Sequence, residues 1–306
     1  MSLVAGSYER FIWGYKLKSR KHLSSLTLSP LFSFPSHLST IKTVAVAGSA
    51  AVSNGNNDTI KIYDLSTSSE IGSLYHSSSI TSLSFFSPPS LSFFPRNLLV
   101  GDAEGSLSIY DADPFAINPL SIHPLEKLAL TIGHDECLAM VNLVRGRWSF
   151  YCKLSKEASI VQFDGTGKKF FMVVDEKISV HESEDAKLIF KLDNNKRVLC
   201  AALGADLFTG GEDRKVTAWD TTTGKVAYTI EDAHAALIKV IVVLSKGVDD
   251  LGEEDPYIVA STLSDGIIRT WDVRMVNKGD PNLLAEVNTK SRLTCLAGSS
   301  IKTLCS

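Results

Sequence analysis

Residues 265–272 read DGIIRTWD, and residues 213–220 read DRKVTAWD. In both, a turn-forming acid precedes alternating residues that end on an aromatic and a second acid. Ile267, Arg269 and Trp271 share one face of an extended chain, Ile268 and Thr270 the other, which predicts a half-buried β-strand. The phrase recurs as NDTIKIYD at 57–64 and EGSLSIYD at 104–111. Weaker copies are DECLAMVN at 135–142, DEKISVHE at 175–182 and SYERFIWG at 7–14, which makes seven. Six residues before each terminal aromatic, or its substitute, stand Ser7, Asn57, Glu104, Asp135, Asp175, Asp213 and Asp265. Short polar side chains there bond nearby backbone amides and fix a tight turn. An apolar stretch precedes each turn, as in Tyr257 to Ala260 or Asn97 to Val100, so each unit reads as strand, turn, strand.

Seven units in 306 residues give about 44 residues per unit, the period of four-stranded blades. The units resemble WD repeats, and the resemblance implies an all-β, seven-bladed β-propeller spanning residues 1–306 as a single domain. Carried over from that family, His234, Ser261, Asp265 and Trp271 fill the positions of a hydrogen-bonded tetrad in the sixth unit. There His234 is expected to bond Ser261, which relays to Trp271 and Asp265. The fifth unit keeps Thr209, Asp213 and Trp219 but has no histidine in the matching loop. The chain opens on LVAGSYERFIWGY, a second-and-third-strand pair, and near its end RLTCLA at 292–297 reads as a first strand. Joining them completes one blade and removes two open sheet edges.

The closing positions fall at Gly14, Asp64, Asp111, Asn142, Glu182, Asp220 and Asp272, at intervals of 50, 47, 31, 40, 38 and 52 residues. The third interval is too short for four strands and their turns. ADPFAINPL, with Pro114 and Pro119, makes a poor strand. One incomplete blade is therefore expected around residues 105–135, lacking the outer strand of the second blade or the inner strand of the third.

Residues 16–37 are basic, then rich in Ser and aromatics, and read as an outer strand with a long, loosely ordered loop; the alternative is a basic docking or phosphorylation segment. Insertions at 87–96 and 246–256 interrupt the links between first and second strands of their blades. The acidic run Asp249, Asp250, Glu253, Glu254 and Asp255 is a candidate surface for a basic partner, with Phe93 and Phe94 as an apolar anchor.

Net charge is −3, which argues against a general polyanion binder and leaves a local basic patch open. Five widely spaced cysteines without a C-x-x-C pair suit a reducing compartment and neither a disulfide framework nor a zinc site. No apolar run approaches the roughly 18 residues that span a bilayer, so a soluble, intracellular protein is expected. There is no phosphate-binding G-x-x-x-x-G-K-[ST] and no G-x-S-x-G elbow, and GTGKK at 165–169 reads as a hairpin turn. The seven histidines lack zinc spacing, and the recurring acids are turn formers. No catalytic residue, metal, cofactor, small-molecule substrate or membrane contact is expected.

Beyond the repeats, LVAGSYERFIWGYKL, NDTIKIYDL, LSIHPLEKLAL followed by NLVRGR, and SRLTCLA resemble the p21-activated protein kinase-interacting protein 1-like family. That resemblance implies a non-enzymatic scaffold in large ribosomal subunit assembly, monomeric within a larger complex of assembly factors or ribosomal proteins. It also implies restraint of p21-activated kinase signalling. The implied location is the nucleus and nucleolus, with some protein in the cytoplasm. Many members continue into a Lys-rich tail, whereas here only Lys302 stands near Ser306, so direct RNA contact is not expected. An alternative comes from WDVR at 271–274, which resembles the box by which some propellers dock onto the adaptor of cullin-4 ubiquitin ligases, Arg274 making the contact.

Overall fold

The computed structural model describes every residue except 21–22, 87–96, 112–127, 133–135, 143–146, 164–166, 205, 245–257, 274–281 and 300–306. The described residues form strands and turns without helix, in seven small antiparallel sheets. The fold class is the seven-bladed β-propeller. The chain divides into two compact units, one of Met1–Ile117 with Lys239–Ser306 and one of Asn118–Ile238.

In the first unit, the closing blade comprises β1 (Ser2–Ser7), β2 (Phe11–Arg20), β3 (Leu23–Pro35) and β26 (Leu293–Ser299), in the order β26-β1-β2-β3. β26 pairs antiparallel with β1, Leu3 facing Gly298 and Ala5 facing Leu296, so the two chain ends share one sheet as expected. The first blade is β4 (Ile41–Ala47), β5 (Ala50–Gly55), β6 (Thr59–Asp64) and β7 (Ser69–Tyr75). The second is β8 (Ile80–Phe86), β9 (Asn97–Asp102) and β10 (Leu107–Asp111).

The second unit holds the third blade, β11 (Leu128–Ile132), β12 (Cys137–Asn142) and β13 (Arg147–Lys153), and the fourth, β14 (Ile160–Phe163), β15 (Lys169–Val174), β16 (Lys177–Glu182) and β17 (Leu188–Asp193). It also holds the fifth, β18 (Val198–Leu203), β19 (Leu207–Gly211), β20 (Val216–Asp220) and β21 (Lys225–Ile230). The sixth sheet runs β22 (Ile238–Leu244), β23 (Ile258–Leu263), β24 (Ile267–Asp272) and β25 (Asn282–Asn288). Among the described residues, the second and third sheets each have three strands. Residues 112–127, where the short interval falls, lie outside the described residues.

Alternation puts the apolar residues between sheets. Ile12, Ile41, Ala51, Tyr63 and Leu65 form one buried layer, with Phe32 and Phe34 against Tyr63. Leu3, Tyr15, Leu17, Ile258 and Leu296 form another, against which Leu284 and Val287 pack.

Two readings of the sequence are corrected. Third strands that pair with a fourth carry a bulge just before the aromatic position, as at Ile62/Tyr63, Ala218/Trp219 and Thr270/Trp271. In the closing blade the bulge lies between Gly14 and Tyr15. Tyr15, not Trp13, therefore occupies the aromatic position, Glu9 the turn-acid position, and Lys16 the closing position. The slip is two residues, which leaves every side chain on its own face, so alternation alone could not detect it. Gly14 stays bare because a Cβ there would lie 2.5 Å from the Phe32 ring.

The expected loop is largely strand: β2 (Phe11–Arg20) and β3 (Leu23–Pro35) pair antiparallel. Lys16 pairs with Ser29, Leu17 with Leu28 and Lys18 with Thr27. The cause lies at the closing position. In the first and fifth blades the acid there ends the strand: Asp64 accepts the Ser66 amide at 2.8 Å and Asp220 the Thr222 amide at 2.7 Å. These bonds hold both carboxyls below the usual carboxylate range, the Ser66 hydroxyl acting most on Asp64 and the Thr222 amide most on Asp220. Lys16 cannot accept an amide, so no turn is capped there and β2 runs on to Arg20.

Candidate functional site

Polar positions of several repeats form latches that tie the loop before a blade's first strand to its second and third strands or the turn between them. In the first blade His37 Nε2 and Ser53 Oγ are 2.8 Å apart, and Ser53 Oγ and Tyr63 Oη 2.9 Å. Ser36 bonds the same phenol. Burial pushes the His37 imidazole down to about 4, while the Asn57 side chain beside it pulls the other way, and it pushes Tyr63 up to about 12. In the second blade His76 lies 2.6 Å from Tyr110 Oη through Nδ1 and 3.1 Å from Asp102 Oδ2 through Nε2. Asp102 also accepts the Glu104 and Ser106 amides. It thus does the work that the repeat register assigns to Glu104.

Elsewhere the latch changes chemistry. In the fifth blade Asn194 stands where histidine is missing and donates Nδ2 to Asp213 Oδ2 at 3.2 Å. Trp219 Nε1 donates to Thr209 Oγ1 at 2.9 Å. In the sixth, Trp271 Nε1 donates to Ser261 Oγ at 2.9 Å, and Asp265 accepts the Ile267 amide at 2.9 Å. His234 is 2% exposed. In the fourth, Lys156 Nζ pairs with Asp175 Oδ2 at 3.1 Å. In the closing blade the Arg292 amide donates to Glu9 at 3.0 Å. His37, His76, Asn194 and His234 each stand four residues before the first residue of a first strand, β4, β8, β18 and β22. That spacing was the available signal for His37, His76 and Asn194, which the motif reading passed over.

Backbone bonds pin successive blades within each unit. His76 N donates to Asp58 O at 2.9 Å, Asn194 N to Glu176 O at 3.0 Å and Thr289 N to Gly266 O at 2.9 Å. Asp58 has φ 54° and Gly266 φ 90°, the left-handed conformation that turns the acceptor outward; at Gly266 a Cβ would also meet Ser291 O at 2.6 Å. Of the expected tetrad contacts, the Trp271–Ser261 and Trp219–Thr209 bonds are present. Of the candidate partner surface, Phe93, Phe94, Asp249, Asp250, Glu253, Glu254, Asp255 and Arg274 all lie outside the described residues.

Large apolar side chains are exposed beside the latched loops of the first unit. Leu38 is 82% and Tyr8 54% exposed, and Arg292 lies over the Tyr8 ring at 4.2 Å. Among the described residues no cluster of His, Cys, Asp and Glu could hold a metal ion.

No protein-family model matches the chain. It is 30% identical to "p21-activated protein kinase-interacting protein 1" of Homo sapiens over 308 residues, 97% of this chain and 76% of that protein. It is 29% identical to the Xenopus laevis "p21-activated protein kinase-interacting protein 1-like", over 97% of this chain and 81% of that one. "Shk1 kinase-binding protein 15" of Schizosaccharomyces pombe is 24% identical, over 97% of this chain and 83% of that one. With the propeller fold, these relatives make the chain an interaction scaffold, and it belongs to the p21-activated protein kinase-interacting protein 1 family.

Proposed function

We propose that the chain is a non-enzymatic scaffold of large ribosomal subunit assembly, acting in the nucleus and nucleolus through protein partners. What carries the scaffold reading is end-to-end similarity to a kinase-interacting protein, spread over 97% of the chain and not confined to one motif. The fold agrees: the repeat side chains that could do acid–base work, such as His37, His76 and Asp102, are buried in latches. Rigid blades with varied loops suit binding several proteins in turn. A second role, binding a p21-activated kinase, is favoured by the names of the human and fission-yeast relatives.

Affinity purification of the tagged chain from its own cells tests both. The expected result is recovery of assembly factors and rRNA of the large-subunit precursor, with the kinase in a separate, smaller complex. Recovery of the kinase without any pre-ribosomal component overturns the assembly reading. Recovery of the cullin-4 adaptor, lost on Arg274→Ala, replaces it with the ligase reading.

A further inference from the structure

From Arg10 to Asn57 the chain has no Asp or Glu, yet it holds Arg10, Lys16, Lys18, Arg20, Lys21 and Lys42. The whole chain carries 34 acids and a net charge of −3, so this segment is an isolated positive region in an otherwise acidic protein. Its regular part is the β2–β3 hairpin. One face of that hairpin is covered: Tyr15 and Leu17 are buried, and Leu26 and Leu28 pack in the same layer as Leu284 and Val287 of β25. On the other face Lys16 and Lys18 are exposed, with Ser29 and Thr27 opposite them in register. Among the described residues neither lysine forms an ion pair.

We propose that this face of the β2–β3 hairpin is a docking surface for the phosphate backbone of single-stranded RNA. Four features support that occupant. Alternate residues of a strand repeat at about 6.7 Å, commensurate with successive phosphates along an extended strand. Each lysine has a hydroxyl donor across the ladder, and lysine with serine or threonine is a common phosphate-contacting set. No carboxylate lies in the segment to repel a polyanion. β2 stays extended at this point because Lys16 replaces the acid that ends β6 and β20, so the departure that lengthens the hairpin also supplies its first cation. The proposal deepens the assembly reading, since that reading supplies the RNA.

Fluorescence anisotropy with a labelled 20-nucleotide poly(U) strand tests it on the full chain. Wild-type binding should weaken as salt rises, and Lys16→Ala/Lys18→Ala should lower affinity about tenfold and reduce the log–log salt slope by about 1.4, since each phosphate contact on a single strand contributes about 0.7. Lys187→Ala/Lys191→Ala, which removes two exposed lysines of the second unit, should change neither. An unchanged slope in the hairpin variant, with its thermal midpoint retained, overturns the proposal. Equal losses in the two variants overturn it too, as does equally tight binding of a polyglutamate peptide of matched charge. If wild type binds no RNA but still recovers pre-ribosomal proteins, this proposal fails and the scaffold reading stands.

Discussion

In the first blade a histidine is held by neutral hydroxyls; in the second, a histidine at the same place is held by a carboxylate. His37 meets Ser53, which meets Tyr63. At the position of Ser53 the second blade has Val100, which can bond nothing. Tyr110 Oη therefore reaches His76 Nδ1 directly, and Nε2 turns to Asp102, with both the His76 and Asp102 side chains only 5% exposed. The same histidine position is thus satisfied by partners of different chemical kind. The two solutions call for different tests.

Breaking the second latch has the largest expected effect. Asp102→Leu strands His76 Nε2 in the interior and releases the turn amides of Glu104 and Ser106. Leaving a buried donor without its acceptor costs about 2 kcal/mol, and the freed turn amides add to it, read as a lower urea midpoint at unchanged slope. Asp102→Asn keeps an acceptor and should cost about 1 kcal/mol. If the Leu variant is no worse than the Asn variant, Asp102 is not what holds the loop.

The first latch is broken by protons instead. Burial holds the folded His37 pKa near 4, below its unfolded value of 6.5. The unfolded chain therefore takes up the proton first as pH falls. Stability from this group is fully present above pH 6.5 and is lost between 6.5 and 4, a total of about 3 kcal/mol. His37→Gln can still bond Ser53 but does not titrate, so the variant should lack that component of the acid loss. A variant whose stability falls in parallel with wild type from pH 7 to pH 4 would show that His37 does not supply it.

The contrast also explains what could be read beforehand. Trp219, Trp271, Thr209 and Ser261 were legible through the resemblance to WD repeats, and the structure gives the reason: each indole N–H meets a hydroxyl acceptor across the hairpin. Asp102 was not, because Glu104 occupies the expected turn position and nothing local says that the carboxylate two residues earlier takes its place. Glu9 and Tyr15 were missed for the reason that a two-residue slip is silent to alternation. The hairpin at 16–37 was hidden by its serines and prolines, although Tyr15, Leu17, Leu26 and Leu28 already carried a strand period. Phe93, Phe94 and the acidic run belong to the insertions at 87–96 and 246–256, which no repeat rule constrains.

The second unit offers the mildest form of the same comparison. Asn194 is 8% exposed and satisfies both Lys196 O and Asp213 Oδ2. Lys156 and Asp175 pair in the open, with side chains 68% and 41% exposed. Truncating the buried amide should cost about 1 kcal/mol. An ion pair in water gains little that its hydrated partners lack, so Lys156→Ala should leave the thermal midpoint where it was, at low and at high salt. If instead Lys156→Ala lowered the midpoint as far as Asn194→Ala, the latch would matter for its connectivity alone, and burial would not be what gives the His37 and His76 versions their strength.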